Sequence, residues 1–385
     1  MRKICVFTGT RADYGIMSQL MKLINNDPAL QLQIIATNMH LSPEFGLTYK
    51  EIESDGFHID KKVEMLLSSD TPNGTVKSMG LGVIGFADAL ESLQPDLAII
   101  LGDRYEMLAA AEACLIYKIP IAHIAGGAIS EGAYDDSIRH CITKISHIHF
   151  TETEEYRKRV IQMGEQPDNV ICTGALGVNN IRKEKVMSLQ ELENSLMFKL
   201  GPKFLLVTFH PVTIETNTAA QQCDNLLSAL AEINEDYKLL FTLPNSDTDG
   251  RVIIRRINRY VSQNPDKAYV ITSLGKKRYY SALKYASAVV GNSSSGLVEA
   301  PSFNIPTLNI GDRQKGRTKG KSVYDVPATL EGIRKGLGVV LSSNFKEQAR
   351  EAINPYEKSG TLDIMFNIIK EFPLNDLIKK TFYNI

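Results

Sequence analysis

Short runs of apolar residues alternate along this chain with longer segments in which apolar positions recur at a helical period. Two series of such runs are strand candidates. The first comprises Ile4–Phe7, Leu32–Ala36, Leu97–Leu101, Ile119–Ile124, Ile148–Thr151 and Val170–Cys172, and the second comprises Phe204–Phe209, Lys238–Thr242, Tyr269–Thr272, Ala288–Val290 and Thr307–Asn309. Hydrophobicity within each run is continuous, which is typical of parallel strands covered on both faces. The intervening segments, such as Ile16–Asn25 and Ser137–Ser146, predict helices, so the pattern predicts an α/β fold with two doubly wound sheets.

A polar, weakly patterned stretch at Arg182–Lys203 separates the two series and predicts a domain boundary. At 385 residues, the chain is long for one domain, and two domains are the natural expectation. Ligands of open α/β sheets bind beyond the carboxyl ends of strands, and the chemically distinctive motifs here all follow predicted strands. We therefore expect one active-site cleft between the two sheets.

Composition narrows the function classes. The formal net charge is −1, so no basic excess indicates a nucleic-acid or anionic-membrane partner. The five cysteines are widely spaced and form no C-x-x-C pair, which favours buried free thiols over disulfides or a thiolate zinc site. The chain lacks a signal peptide pattern and any run of about 20 apolar residues. We expect a cytoplasmic protein.

The first motif is FTGTRADYG, directly after the first predicted strand. Its glycines let backbone amides approach a ligand, and Arg11 supplies a cationic fork suited to phosphate oxygens. The G-x-G-x-x-G spacing of dinucleotide sites is absent. A tight strand-to-helix turn with a surface arginine is the simpler interpretation.

Two further motifs place carboxylates beyond strands. LAIILGDRYEML carries Asp103 and Arg104, which are either a substrate-binding acid–base pair or an ordinary salt-bridged strand end. A helix is predicted to begin at Asp135 and Asp136 in HIAGGAISEGAYDDSIRHCITK. These carboxylates either belong to the site or only cap the helix. Its spacings do not indicate a metal site.

The second half carries an anion-binding pattern. His210 follows a strand in LLVTFHP, where it either transfers a proton to a substrate or contacts its phosphates, with a structural role as the alternative. The stretch VVGNSSSGLVEAPS places Ser293, Ser294, Ser295 and Gly296 at a helix start, where hydroxyls and amides suit phosphate. Glu299, one turn later, suits two ribose hydroxyls. Arg313 and Lys315, in NIGDRQKGR, supply further positive charge, so the pattern predicts a nucleotide diphosphate site.

Taken together, GTRADYG, GDRYE, DDSIRHCITK, FHP, GNSSSG with Glu299, and NIGDRQKGR make the chain resemble the hydrolysing UDP-N-acetylglucosamine 2-epimerases, in the branch serving sialic and legionaminic acid synthesis. The resemblance covers nearly the whole chain. It implies a GT-B-like fold of two Rossmann-type domains, at residues 1–181 (sugar side) and 182–366 (nucleotide side), with a C-terminal helix at 367–385 crossing back to the first domain.

The resemblance also implies roles for single residues. Arg11, His210, Ser293, Ser294, Glu299 and Arg313 would hold the diphosphate and ribose, with Arg104 near the sugar and phosphates. Asn245 and the backbone near Leu274 would lie close to the base. His40, Asp103 and Asp135 would surround the reacting sugar. No cofactor and no metal are implied, and the partner is a nucleotide sugar.

The chemistry implied by the resemblance has two steps. A base removes the C2 proton while UDP leaves from the opposite face, giving a glycal with a C1–C2 double bond. Water then adds at C1 while an acid protonates C2 from the other face, so the free sugar is released epimerised.

One departure from the family affects the acid–base groups. Relatives commonly read H-I-x-G-G-E, whereas this chain has Ala125 at the variable position and Ala128 in place of the glutamate. A methyl group can neither donate nor accept a proton. Glu131 substitutes, or Asp103 and Asp135 suffice, or Ala128 is a deliberate replacement that leaves a weakened enzyme.

Other functions stay open at this stage. A GT-B glycosyltransferase would share the nucleotide site but require an acceptor, and a non-catalytic sugar-nucleotide-binding protein would fit the alanines. A Rossmann oxidoreductase is disfavoured by the missing glycine fingerprint. The sequence leaves the sugar substituents and the choice of UDP or GDP open, and family precedent favours a homo-oligomer, either a dimer or a tetramer.

Overall fold

A computed structural model describes residues 1–67, 69, 71–181, 184–244 and 249–385. The chain forms two compact units. The first contains residues 1–128, 135–180 and 356–385, and the second contains residues 129–134 and 181–355. The short segment 129–134 therefore leaves the first unit, packs within the second, and returns.

The first unit contains a seven-stranded parallel sheet with the order β3-β2-β1-β4-β5-β6-β7. Its strands are β1 Arg2–Thr8, β2 Leu30–Thr37, β3 Lys61–Val63, β4 Leu97–Leu101, β5 Ile121–Ile124, β6 Ile148–Thr151 and β7 Val170–Cys172. Its helices are α1 Arg11–Asn26, α2 Tyr49–Ser54, α3 Pro72–Leu93, α4 Tyr105–Ile116, α5 Asp135–Ile145, α6 Glu154–Gln162 and α7 Leu176–Ile181, which runs into the second unit at its last residue.

The second unit contains a six-stranded parallel sheet with the order β10-β9-β8-β11-β12-β13. Its strands are β8 Phe204–Thr208, β9 Lys238–Thr242, β10 Ala268–Ile271, β11 Ala288–Gly291, β12 Thr307–Ile310 and β13 Val323–Val326. Its helices are α8 Leu189–Leu196, α9 Ala219–Ala231, α10 Gly250–Gln263, α11 Gly275–Tyr285, α12 Ser295–Val298, α13 Leu330–Val340 and α14 Ser343–Arg350.

Both sheets are covered on two faces, as the continuous apolar runs predict. Along β1, Ile4 and Val6 belong to one apolar cluster, whereas Cys5 and Phe7 belong to another. Successive side chains of a strand point to opposite faces, so the two clusters lie on opposite sides of the sheet. The strand β8 divides its residues between two clusters in the same way. The α/β class with two Rossmann-like sheets is confirmed.

The last helix, α15 Thr361–Glu371, packs on α1 and completes the core of the first unit. Residues 367–385, expected to be helical, are helical only as far as Glu371. Pro373 follows closely, and a proline disfavours helical backbone at the residue before it. The remaining tail is fixed by Lys380, whose ammonium contacts Glu165 at 2.7 Å and donates to the backbone oxygen of Lys144 at 2.7 Å.

Four of the five cysteines are buried and Cys141 is exposed, and none forms a disulfide. Across the part of the chain that the structure describes, no helix is both long and apolar enough to cross a bilayer.

Candidate active site

The loop after β1 is organised by the carboxylate of Asp13. Thr10 caps α1 and forms a capping box with Asp13. The Asp13 carboxylate accepts hydrogen bonds from the Thr8 hydroxyl at 2.6 Å, from the backbone amide of Gly9 at 3.0 Å and from that of Tyr14 at 2.5 Å. The motif FTGTRADYG thus forms a tight turn whose amides are directed inward, to Asp13.

His40 supports this loop through hydrogen bonds from both nitrogens of its ring. Its Nε2 lies 3.0 Å from the Thr8 hydroxyl and its Nδ1 lies 2.8 Å from the Thr48 hydroxyl. Because Thr8 donates to Asp13, it accepts from Nε2, and Nδ1 then accepts from Thr48. Burial lowers the pKa of His40 to about 4. The imidazole is fully buried and neutral near pH 7, so it positions the loop rather than supplying a proton.

The two arginines expected to bind the substrate each contact a carboxylate. Arg11 pairs with Glu51 at 2.6 Å, and Arg104 donates Nε to Glu106 at 2.7 Å. Arg11 lies in the first turn of α1 and Arg104 immediately precedes α4, so both follow neighbouring strands of the first sheet.

A buried arginine connects the predicted acid–base residues. Arg139, on α5, is 1% exposed and donates to Asp103, and it also donates to Asp136 at 3.2 Å. Its Nη1 contacts the backbone oxygen of Ala128 at 2.8 Å. Asp135, the first residue of α5, is 8% exposed. The first unit therefore brings Asp103, Asp136 and the backbone of residue 128 to one guanidinium, for which the sequence alone indicates no role.

Two more contacts fix this region. Arg159 donates to the backbone oxygen of Gly127 at 2.6 Å, so consecutive carbonyls at 127 and 128 are each held by an arginine. His123 donates Nε2 to the backbone oxygen of Gly102 at 2.7 Å, and its Nδ1 accepts from Thr143 at 3.2 Å. Burial lowers the pKa of His123 to about 3, so it stays neutral and holds the turn before Asp103.

In the second unit, Asn292 joins three loops. Its side chain exchanges hydrogen bonds with the backbone of His210 at 2.7 and 2.8 Å. Its backbone oxygen accepts from Arg313 at 3.2 Å and from Gln314 at 2.9 Å. His210 and Arg313, both predicted from strand-end positions, are thereby brought together. Asn292 was missed, and the signal for it was its place between a strand-ending glycine and three serines.

The serine turn, residues 293–296, contains partly exposed serines and a glycine that is needed for packing. Ser293, Ser294 and Ser295 are partly exposed, and Ser295 accepts a hydrogen bond from the Tyr279 hydroxyl at 2.7 Å. Gly296 serves packing, because a Cβ there would lie 2.7 Å from the Thr307 side chain. Burial raises the pKa of Glu299, whereas its hydrogen bond to Ser295 and the charge of Arg317 act in the opposite direction.

The residues expected near the base are only partly described. Leu274 is buried, precedes α11, and its backbone oxygen accepts from Arg278 at 2.8 Å. Asn245 lies outside the described residues.

Glu131 belongs to the second unit, within the segment 129–134. It pairs with Lys315 at 3.0 Å, and its amide donates to the backbone oxygen of Lys315, also at 3.0 Å. Tyr134 donates its amide to Thr213 at 3.1 Å. The Glu131 side chain is 51% exposed. Its packing partner is the loop that carries Arg313.

Comparison with known proteins identifies the family of this chain. The family model described as UDP-N-acetylglucosamine 2-epimerase matches residues 22–370. The GDP/UDP-N,N'-diacetylbacillosamine 2-epimerase (hydrolyzing) of Campylobacter jejuni is 42% identical over 90% of this chain and 89% of its own. The polysialic acid biosynthesis protein P7 of Escherichia coli is 38% identical over 97% and 94% of the two chains.

Among solved structures, the UDP-GlcNAc 2-epimerase from Neisseria meningitidis bound to UDP-GlcNAc superposes with a TM-score of 0.78. It is 17% identical, and the match covers 96% of this chain and 99% of that one. At this identity the likeness shows the fold, which is the GT-B-like fold of two Rossmann-type domains. The match to the family model over most of the chain and the high identity to the Campylobacter enzyme show that this chain is a member of the UDP-N-acetylglucosamine 2-epimerase family.

Proposed function

We propose that this protein is a hydrolysing 2-epimerase that converts a UDP-linked 2-acetamido sugar into the free 2-epimer and UDP. The observation that carries the proposal is the cluster around Arg139, which gathers Asp103, Asp136 and the backbone of residue 128 in the first unit. Carboxylates held by a buried guanidinium beside a helix start are suited to moving protons at defined positions.

Two sugar nucleotides are candidate substrates. The Campylobacter jejuni relative and a relative from Legionella pneumophila at 34% identity are both described as diacetylbacillosamine 2-epimerases (hydrolyzing). We therefore propose the 2,4-diacetamido-2,4,6-trideoxy sugar nucleotide as one substrate and UDP-N-acetylglucosamine as the other.

The nucleotide is assigned to the loops of the second unit, and the sugar to those of the first. Arg313 and the hydroxyls of Ser293 and Ser294 would contact the diphosphate, and Glu299 would accept from the ribose hydroxyls. Each charge-assisted hydrogen bond to phosphate contributes about 1.5–3 kcal/mol, so a few of them outweigh a helix dipole of roughly 0.3–1 kcal/mol. His210, held through Asn292, would lie beside the phosphates. The positive charge of Arg313 would stabilise UDP as it leaves.

The reaction then proceeds by elimination and hydration. A base takes the C2 proton, the C–H electron pair forms the C1–C2 double bond, and the C1–O bond breaks with its electrons leaving on UDP. Water adds to C1, and C2 receives a proton on the opposite face. The elimination and the hydration both exchange the C2 hydrogen with a protein acid or base, so two proton-transferring groups are required.

We assign these groups to Asp103, which binds Arg139, and to Asp135, the neighbour of the Arg139-bound Asp136 at the start of α5. Ala128 is 1% exposed and offers a methyl group only, so position 128 contributes its backbone oxygen to Arg139 and no proton. Glu131 is ion-paired with Lys315, and we assign it to the loop of Arg313. We expect a lower rate than an enzyme with glutamate at this position would have, because a positioned acid or base contributes about 100- to 10,000-fold.

The test is acceptor-free turnover. Proton NMR of UDP-N-acetylglucosamine incubated with the protein alone should show UDP and free N-acetylmannosamine-type sugar appearing together. A glycosyltransferase would need an added acceptor, and a binding protein would retain the substrate unchanged. Absence of product from both proposed substrates, in wild type and in Ala128→Glu, would overturn the proposal.

A further inference from the structure

The carboxyl group of Glu106 is fully buried although no catalytic role has been given to it. Glu106 is the second residue of α4 and is 0% exposed. Buried carboxylates are normally paired, because taking one out of water costs several kcal/mol. Its Oε1 accepts from Arg104 Nε at 2.7 Å. Among the described residues, Oε2 has no hydrogen-bond partner.

The same side chain lies against the loop after β1. A Cβ atom on Gly9 would lie 2.7 Å from Oε1 of Glu106 and 2.9 Å from its Cγ. Real Cβ atoms essentially never approach so closely, so the side chain of Glu106 occupies the space that any other residue at position 9 would need. Glycine at this position is therefore required by Glu106, and not by a positive φ angle.

Glu106 thus contacts two loops that follow adjacent strands of the first sheet. The loop after β1 carries Gly9 and leads into α1 at Arg11, and the loop after β4 carries Asp103 and Arg104. Because Nε is the inner corner of the guanidinium, a bond to it sets the direction in which the rest of the group points. One carboxyl group therefore packs against the backbone of the first loop and binds the arginine of the second.

We infer that Glu106 is a positioning residue that holds the Gly9–Arg11 loop and the guanidinium of Arg104 at a fixed spacing, so that Arg11 and Arg104 meet the nucleotide sugar together. This inference rests on the proposed substrate class. Arginines held in advance bind an anion without losing side-chain freedom, and each side chain immobilised on binding costs about 0.5–1.5 kcal/mol.

If the Glu106–Arg104 pair only stabilised the fold, replacing Glu106 would not change KM. Loss of such a pair lowers the fraction of folded protein and therefore the apparent kcat, but it leaves the KM of the folded molecules unchanged. Misplacement of Arg104 raises KM. Burial raises the pKa of Glu106, and the charge of Asp13 adds to this, so the neutral amide of Glu106→Gln is suited to the site while keeping an oxygen for Arg104.

The experiment measures KM and kcat for UDP-N-acetylglucosamine and the thermal midpoint in Glu106→Ala, Glu106→Gln, Arg104→Met and the double variant Glu106→Ala/Arg104→Met. Glu112→Ala is the matched control, because Glu112 lies on the same helix and is exposed. We expect Glu106→Ala to raise KM at least tenfold, Glu106→Gln to stay within about threefold of wild type, and Glu112→Ala to have no effect.

The double variant tests the coupling. If Glu106 acts through Arg104, adding Glu106→Ala to Arg104→Met changes KM by less than twofold. The inference would be overturned if the two substitutions changed KM independently, so that their factors multiply in the double variant. It would also be overturned if Glu106→Ala had the same KM as Glu112→Ala. If Glu106→Ala does not fold, Gly9→Ala replaces it, since a methyl group there displaces the same carboxyl group and should raise KM alike.

Calorimetric Kd values for UDP-N-acetylglucosamine and UDP separate this inference from the proposed function. A wild type that binds both ligands without turnover contradicts the proposed catalysis. The Glu106, Arg104 and Glu112 variants are then compared by their Kd values in place of their KM values. A wild type that turns over the sugar with an unaffected Glu106→Ala contradicts only the role of Glu106. A wild type that binds neither ligand overturns both.

Discussion

Nη1 of Arg139 donates a hydrogen bond to the backbone oxygen of Ala128 at 2.8 Å. The same guanidinium also binds the carboxylates of Asp103 and Asp136. The backbone of residue 128 is therefore held beside the carboxylates even though its side chain carries no acid–base group. Arg139 therefore still holds the backbone of residue 128 in place, although the side chain of Ala128 supplies no acid or base.

Replacing Arg139 should impair chemistry more than binding. Arg139→Met leaves two carboxylates beside each other without their shared counter-charge, so we expect kcat to fall at least 100-fold while KM changes less than threefold. Breaking a buried pair also costs about 3–5 kcal/mol of stability, which urea unfolding will measure. Arg350→Met, an exposed arginine on α14, is the control and should match wild type. Equal kcat values in the two variants would contradict the role of Arg139.

Restoring a carboxylate at position 128 should raise activity. We expect Ala128→Glu to increase kcat by about 100-fold, because a positioned acid or base contributes roughly 100- to 10,000-fold. Ala128→Gln has nearly the same shape and no ionisable group, so it should give no increase. Steady-state assays of UDP release compare the two. Identical rates in the glutamate and glutamine variants would show that position 128 takes no part in proton transfer.

The pattern of the chain predicts the two sheets because each central strand is buried on both faces and reads as a continuous apolar run. The edge strands β3 and β13 were not predicted. β3 is the three-residue Lys61–Val63, and β13 has the sequence VYDV with one buried residue, so neither contains the apolar run that covering on two faces demands. Edge strands are short and polar for a physical reason, since this limits pairing with other chains.

The candidate site was predicted less completely than the fold. Strand-end positions made Asp103, His210 and the serine turn candidates, because ligand-binding loops follow parallel strands, and Asp135 was a candidate at the start of a helix. The groups that support them could not be identified in this way. Arg139 lies inside a helix and His123 inside a strand, and a sequence shows neither which carboxylate nor which carbonyl they reach. Burial decides their roles, and burial depends on the tertiary packing.

Glu299 should recognise the ribose. Glu299→Gln keeps the side-chain length but replaces one carboxylate acceptor with a donor, so we expect the affinity for UDP to fall about tenfold, or about 1.4 kcal/mol. The affinity for 2'-deoxy-UDP should change much less. Calorimetry with both nucleotides tests this, with the exposed Glu347→Gln as the control. An equal loss of affinity for both nucleotides would place the contact elsewhere.

Acid should destabilise the protein through His40. The folded-state pKa of about 4 lies below the unfolded value near 6.5, so the unfolded chain binds the proton first, and stability is lost as pH falls from 6.5 towards 4. For this histidine the loss between pH 7 and 4.5 is about 2.5 kcal/mol. His40→Gln, which cannot titrate, should lose correspondingly less free energy of unfolding over that range.

His58→Gln, at an exposed histidine, is the comparison variant, and its free energy of unfolding is measured over the same pH range. A His40→Gln variant with the same pH dependence as wild type would mean that burial does not lower the pKa of His40 in the folded protein.

The most direct measurement of the central claim is turnover of each proposed UDP-linked sugar in D₂O without an acceptor, followed by NMR and mass spectrometry. Elimination and hydration remove the C2 proton and return a solvent deuteron, so the free 2-epimer should carry one deuterium at C2 and none elsewhere on carbon. A free sugar that retains its original C2 hydrogen, or the absence of any free sugar, would contradict a hydrolysing 2-epimerase that acts through a glycal.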